Sequence, residues 1–439
     1  MANTLKFGNG EWYGKKDTIL AYNDENSNYK PLPFNFSRAS SATVVNQSGL
    51  IETVGSGIPR IDFLGNTKGA LLLEPQRTNL ITYSEDFSNA YWTKSGVSVT
   101  SGFTSPDGTT NAFKLIASSS NTAVAHNTYS GAVSITSGNT YTQNLFFKYD
   151  NHQYIKLQYG ATGTGGLTGN QNVVKLDILN KTIIQPDSPS VATITEFSNN
   201  WVMVTLTATM AATGNVSTEV VLSNSNWDNA SIKVGGESVY IYGAQLEEQS
   251  YPTSYIPTSG ATATRTADVC NNAGTSATFN STEGVLFAEI AALANDGTYR
   301  MISLSDGTAT NRISFFYQNS PINTIAVESA GSGTNLGIYG QSLTITNSNK
   351  IAVKYKANDC ALWVNGVEVA TDTSFAAFSS GTFTELSFDR GDGLMDFYGK
   401  TKQLMVFDEA LSDEELSDLT GQANLSFNNL ATFYNYTIL

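Results

Sequence analysis

The sequence predicts an all-β protein with an extended N-terminal arm followed by two β-sandwich domains of jelly-roll type. Three observations predict it. Hydrophobic residues make up 40% of the 439 and aromatics 11%, which is ample for buried cores. Charged residues are only 14%, against roughly 25% in an average soluble domain, and Ser, Thr, Asn and Gly take their place. That composition suits pleated strands and fits helices badly. Finally, short apolar runs with a period of two recur along the chain between glycine and asparagine turn signals.

Residues 1–80 read as an N-terminal region for anchoring and oligomerisation, in which 1–40 form either an extended arm with one short strand or hairpin or a packed first strand of the next domain. Trp12 and Tyr13 precede the polar stretch Asn23–Asn28, then Pro31 and Pro33, which favour extended backbone. Ala42–Val45 and Leu50–Val54 are short strands between glycines, and Leu71–Leu80 is an apolar strand ended by a proline turn.

Residues 81–258 read as the first sandwich. Its strands include Tyr141–Tyr149, Tyr154–Tyr159, Trp201–Thr209 and Ser238–Gly243. Tyr251–Gly260 reads as extended chain, and 259–282 as a linker. The second sandwich, 283–421, opens with Gly284–Ile290 and contains Ile351–Lys356 and Ala361–Ala370. Asn365-Gly366 between alternating runs is a strong hairpin signal. The one helix expected is 412–420, with Ser412 and Glu415 as a capping box and Gly421 at its end. Residues 422–439 read as a packing tail.

The formal net charge of −14 and the lack of any basic cluster exclude a phosphate-binding face, so no nucleic acid is expected. No apolar stretch approaches 18 residues, and no secretory signal is expected in Met1–Gly10. Cys270 and Cys360 are expected to stay free. His126 and His152 have no nucleophile partner and read as surface or interface histidines. Gly160–Gly166 lacks the Lys-Ser/Thr of a phosphate loop.

Paired carboxylates for glycoside hydrolysis are missing as a strand motif, because the adjacent Glu247 and Glu248 would face opposite ways. No catalytic residue, cofactor or metal is therefore assigned. Asp389-Arg390-Gly391-Asp392-Gly393 with Asp396 offers oxygen ligands for Ca²⁺, but a strand-to-strand turn accounts for the same residues. Sugar binding needs aromatic faces beside amides and carboxylates. Trp92, Tyr154, Tyr159, Trp227 and Trp363 are the aromatics to consider. Trp227, with Asn226 before it and Asp228 and Asn229 after, is the one expected in an exposed loop, and it is the candidate glycan-binding residue.

Phe36–Val44, Gly49–Glu52, Leu71–Leu80, Ser84–Phe87 and Tyr91-Trp92 together resemble tailed-bacteriophage head-fibre and tail-fibre proteins. The middle region, closing with Gly243–Glu247 and Ser254–Thr258, is similar to their carbohydrate-binding-module-like domain. Trp363–Gly366, Gly399–Leu404 and the helix Ala410–Leu416 resemble a concanavalin-A/laminin-G-like jelly roll. The resemblance spans roughly 34–421, so residues 1–33 lie outside it. It implies a structural fibre or spike on the virion surface, homotrimeric, held by capsid or tail proteins and adhering to host surface glycans. The lack of a coiled-coil or repeat shaft points to the head rather than the tail. A polysaccharide-degrading hydrolase and a non-binding decoration protein stay open as alternatives.

Overall fold

In the computed structural model the described strands gather into four larger sheets and two two-stranded ribbons. The residues described are 5–23, 28–118, 125–161, 173–186, 191–227, 235–331, 333–337 and 343–421. The chain forms two units, neither continuous in sequence. One comprises Met1–Ala39, Gly55–Pro75 and Ala267–Leu439, the other Ser40–Val54 and Gln76–Thr266.

The first unit packs a 12-stranded sheet against a 5-stranded one. The large sheet takes strands from both ends of the described chain. Leu5–Gly8 pairs antiparallel with Gly399–Phe407, with Leu5 opposite Val406, and Ala70–Leu73 pairs with the same strand. Of the two readings of residues 1–40, an arm or packed first strands, the second holds for the described residues, which supply sheet strands. Their apolar side chains decide this, because Leu5, Phe7, Ile19, Phe34 and Phe36 all bury in the unit's core beside Leu286, Ile302 and Phe315. Val269–Asn271, expected within a linker, pairs with Asn28–Ser37 in that sheet, and Phe279 joins the core.

Four charged residues close this unit's discontinuous chain. Arg38, Arg60, Glu74 and Asp268 are each at most 2% exposed. Asp268 Oδ1 accepts from Arg38 Nη1 at 3.1 Å, and its Oδ2 accepts from Arg60 Nη2 and from the Glu74 amide at 2.8 Å. Arg60 Nη1 also donates to Glu74 Oε2 at 2.5 Å. Burial opposes the charge of Arg60, yet the two carboxylates hold its pKa above the ordinary value.

The hairpin and helix form as the local signals require. Cys360–Val364 and Val367–Asp372 pair across Asn365 (φ 51°) and Gly366 (φ 90°), the two left-handed residues of a type I′ turn. The helix Asp413–Thr420 carries the capping box of Ser412 and Glu415. Leu411, Leu416 and Leu419 lie over Val285, Phe287, Trp363, Met405 and Phe407. Cys270 and Cys360 are buried and form no disulfide.

The second unit packs a 7-stranded sheet against a 6-stranded one. Leu115, Leu145, Phe147, Leu157, Val204 and Ile241 are among the residues of its core. Outside the 6-stranded sheet a second cluster joins Ile51, Phe146, Trp201, Tyr242 and Tyr255. Tyr251–Gly260, expected as extended chain, has no regular structure but is locked in place. Asn79 Nδ2 donates to Ile256 O at 2.8 Å, Thr253 N donates to Glu247 Oε2 at 3.0 Å, and Tyr255 is 4% exposed. Ala263–Arg265 then pairs with Arg77–Asn79, so the expected linker 259–282 divides between the two units. The tail 422–439 and most of the Gly160–Gly166 loop lie outside the described residues.

A candidate glycan-binding face

The 7-stranded sheet has one face in the core and one face turned out. In the strand Tyr154–Ala161, residues Ile155, Leu157 and Tyr159 point into the core, as do Val220 and Leu222 on Gly214–Leu222 and Val174 and Leu176 on Val173–Asp177. Period-two alternation therefore turns Tyr154, Lys156, Gln158 and Gly160 outward. The register completes two rows on that face. Lys156 sits opposite Lys175 and Val221, with Asn127 beyond Val221. Gln158 sits opposite Val173 and Glu219, with Tyr129 beyond Glu219.

Trp227 comes to the end of this face. Its ring meets Tyr154 edge-on, with centroids 5.5 Å apart and planes at 80°. The expected exposed tryptophan is half-buried. Its backbone is left-handed at φ 65°, an uncommon state for a bulky residue. Two bonds hold it there: its amide donates to Asn224 O at 3.0 Å, and Lys156 Nζ donates to its carbonyl.

Glu219 stands in the second row. Gln158 Nε2 donates to its Oε2 at 2.7 Å, and Asn127 Nδ2 donates to its Oε1. Gly160 makes room for this arrangement, because a Cβ there would lie 2.5 Å from Ser217 Oγ and 2.8 Å from Glu219 Oε2. Glycine inside a strand marks such a close approach. Next to the first row, Asp177 Oδ2 accepts from Gln153 Nε2 at 2.8 Å and from Asn180 Nδ2 at 2.8 Å. Burial pushes the Asp177 pKa up, but these donors carry it below the ordinary carboxylate value.

The other four aromatics divide by position. Tyr154 shares the face with Trp227. Trp92 and Trp363 are 1% and 6% exposed and belong to hydrophobic cores. Tyr159 donates to Tyr141 O at 2.9 Å from the interior side of its strand. His126, expected at a surface or an interface, is buried within its own unit, and His152 is half-buried. Burial holds the His152 pKa below its ordinary value, against the opposing pull of the Tyr154 and Ser223 backbone and of Glu237.

A second feature of this unit is invisible as a sequence motif. A cleft of about 350 Å³ is lined by Tyr83, Glu85, Asp86, Ser101, Asn111 and Phe113, among others. The Tyr242 hydroxyl lies 3.0 Å from Glu85 Oε1 and 3.1 Å from Asp107 Oδ2. Burial, reinforced by Asp107, raises the Glu85 pKa. Burial acts on Asp107 in the same sense, but the donors Ser105, Thr109 and Tyr242 outweigh it and lower that pKa. Asp107 Oδ1 accepts from Ser105 Oγ and Thr109 N, and Oδ2 from Asn111 Nδ2 and Tyr242. Its oxygens are thus spent on the turn it stabilises. Glu247 and Glu248 are likewise internal acceptors, for Thr253 and for Tyr141 and Asn139.

In the first unit, the Asp389–Gly393 segment is a turn in which Gly391 N donates to Asp389 Oδ1 at 2.5 Å and Arg390 pairs with Asp392 at 2.6 Å. Burial, with Asp396 and Glu385 nearby, pushes Asp389 up to about 6. Among the described residues, no group of three or more His, Cys, Asp or Glu is arranged to hold a metal ion, and no helix is long and apolar enough to cross a membrane.

No protein-family model matches the chain, and no curated protein matches it by sequence. Several solved structures are similar. The CBM40 module of the Ruminococcus gnavus IT-sialidase, bound to α2,3-sialyllactose, is 19% identical over 32% of this chain and 84% of its own, with a TM-score of 0.28. A leech intramolecular trans-sialidase is 20% identical over 33% of this chain and 24% of its own, with a TM-score of 0.26. Domains LG4-5 of the mouse laminin α1 chain are 11% identical over 81% of this chain and 93% of their own, with a TM-score of 0.22. The reading of both units as β-sandwiches rests on their own sheets.

Proposed function

We propose that this protein is a glycan adhesin, and that the outward face of the 7-stranded sheet is its binding surface. One observation carries the reading: the sheet register places Gln158, Glu219, Asn127 and Lys156 in adjoining rows, with the Tyr154–Trp227 aromatic pair at one end. Aromatic surface beside planar amides and a carboxylate is the chemistry that holds sugar rings and their hydroxyls.

We further propose binding without turnover. Glycoside hydrolysis requires one carboxyl to donate a proton and another to act as base or nucleophile. Glu85 has the raised pKa of an acid, but its neighbour Asp107 has donors on both oxygens.

The resemblance of residues 34–421 to tailed-phage fibres supports a finer reading: a trimeric spike on the virion, attached to the head. Three weak sites on one spike reach a host surface at millimolar effective concentration, and avidity follows.

The test is a panel of neutral and acidic oligosaccharides presented to the full-length protein and to Trp227→Ala. Binding by the wild type, reduced at least tenfold in the variant at unchanged melting temperature, supports the face. Equal binding by both proteins sinks it. Solution mass near three times 47.1 kDa supports the trimer, and a monomer removes it.

A further inference from the structure

We infer that Glu219 is the specificity residue of this face and that it selects a neutral sugar presenting two adjacent hydroxyls. This rests on the glycan-binding reading and goes beyond it by naming the ligand's chemistry. Both carboxylate oxygens of Glu219 already accept one amide N–H, from Asn127 and from Gln158. A carboxylate has about four lone-pair sites, so each oxygen keeps one acceptor position, and the two donors fix the direction in which the free positions point. Gly160 lets the carboxylate settle against the strand beside it. The side chain is therefore oriented before any ligand arrives, which removes ordering cost from binding.

Two fixed acceptors side by side call for two donors at matching spacing, which a vicinal diol supplies. Hydrogen bonds to an ionised acceptor are the strong kind. The Asn127 and Gln158 amides are partly committed by the same geometry. Each NH₂ spends one N–H on Glu219 and keeps a second, which can meet a ring or hydroxyl oxygen of the same sugar, so the anionic character of the site comes from the Glu219 carboxylate itself. The two lysines do not reverse that character. Lys156 and Lys175 stand in the other row, and the Lys156 ammonium is turned to the Trp227 carbonyl. A sugar carboxylate or sulfate placed at Glu219 meets like charge.

The experiment uses the full-length protein, with maltotriose, cellotriose, mannotriose and lactose as neutral probes and 3′-sialyllactose and trigalacturonate as acidic ones. Titration calorimetry or ligand-observed NMR gives the affinities. The expected result is that at least one neutral probe binds and the acidic probes bind at least tenfold more weakly. Glu219→Gln, which keeps shape and removes one acceptor and the charge, then lowers affinity for the neutral probe about 10- to 100-fold. Gly160→Ala is a second variant that leaves the carboxylate's chemistry intact but pushes it aside, and it should show the same loss at a melting temperature within a few degrees of wild type. Neutral binding that is unchanged in both variants overturns the assignment. Binding of the acidic probes alone also overturns it while leaving the adhesin reading standing. Binding of none of the six probes counts against both.

Discussion

Each unit has a sheet with a face turned away from its core, and the two faces have met opposite fates. In the unit holding residues 267–421, that face carries Val285, Phe287, Ala352, Trp363, Met405 and Phe407, and the capped helix lies over it. In the other unit the face carries Tyr154, Lys156, Gln158, Glu219 and Asn127. Period-two alternation builds both. Where the outward residues are apolar, leaving them in water costs about 25 cal/mol per Å², and the chain folds a helix back to cover them. Where amides, charges and two rings stand among Val173 and Val221, the face is only partly covered: Val221 is buried and Lys156 and Asn127 are 8% and 9% exposed, while Tyr154, Gln158, Glu219 and Trp227 stay half-exposed. A tryptophan on such a face is therefore read through its neighbours, and Trp363 and Trp227 belong to different chemistries.

The largest effect that could break this comparison lies in the first unit's buried ion network. Asp268→Ala takes the carboxylate from Arg38 and leaves Arg60 with Glu74, breaking a buried ion network at an expected cost of about 3–5 kcal/mol. Hydrogen exchange should show lost protection in the strands of that unit, with the 7-stranded sheet unaffected. Equal loss in both units would mean that they unfold as one body. Next comes the tryptophan pair. Trp363→Ala should cost about 3–5 kcal/mol in denaturant unfolding and leave glycan affinity alone. Trp227→Ala should do the reverse, with under about 1 kcal/mol of stability lost. A smaller, pH-dependent effect is expected at Asp389. Its folded pKa of about 6 stands above the ordinary value of 3.8, so the folded state holds the proton more tightly. The stability of that unit should therefore fall as pH rises from about 4 through 6. Asp389→Asn, which keeps the acceptor for Gly391 N, should flatten the slope, and an unchanged melting curve would remove Asp389 as its source. The smallest effect is that of Ser412→Ala, about 1 kcal/mol through the lost helix cap, measured as a shift in the same unfolding transition.

Much of the fold was legible because its signals are local. Asn365-Gly366 demands a left-handed turn, Ser412 and Glu415 satisfy each other's amides, and alternation in 141–149 and 154–159 produces strands wherever they end up. Division into units was not legible, because it depends on pairings such as Leu5 with Val406, set by side-chain fit across almost the whole sequence. The face was partly legible. Tyr154 and Tyr159 are five residues apart on one strand, so parity alone puts them on opposite sides, and Gly160 in the same strand signals a close approach. Glu219 carries no such mark, since a glutamate in an alternating strand looks like any solvated charge until the register brings Asn127 and Gln158 beside it. The Glu85–Asp107 pair was out of reach for a similar reason, because Tyr242, which joins them, is more than 130 positions further along the chain.

The pairing of Leu5–Gly8 with Gly399–Phe407 also sets a schedule on the ribosome. At about 5–20 residues per second, roughly 20–80 s separate the synthesis of these two strands. In that interval every residue of Ser40–Val54 and Gln76–Thr266 has been made, so the unit with the candidate face has its whole sequence while the other still lacks the strand to which Leu5 and Phe7 bind. A nascent chain interrupted after residue 266 would carry the complete sequence of that unit beside apolar strands with no sheet to join, which is where chaperones and proteases would act first.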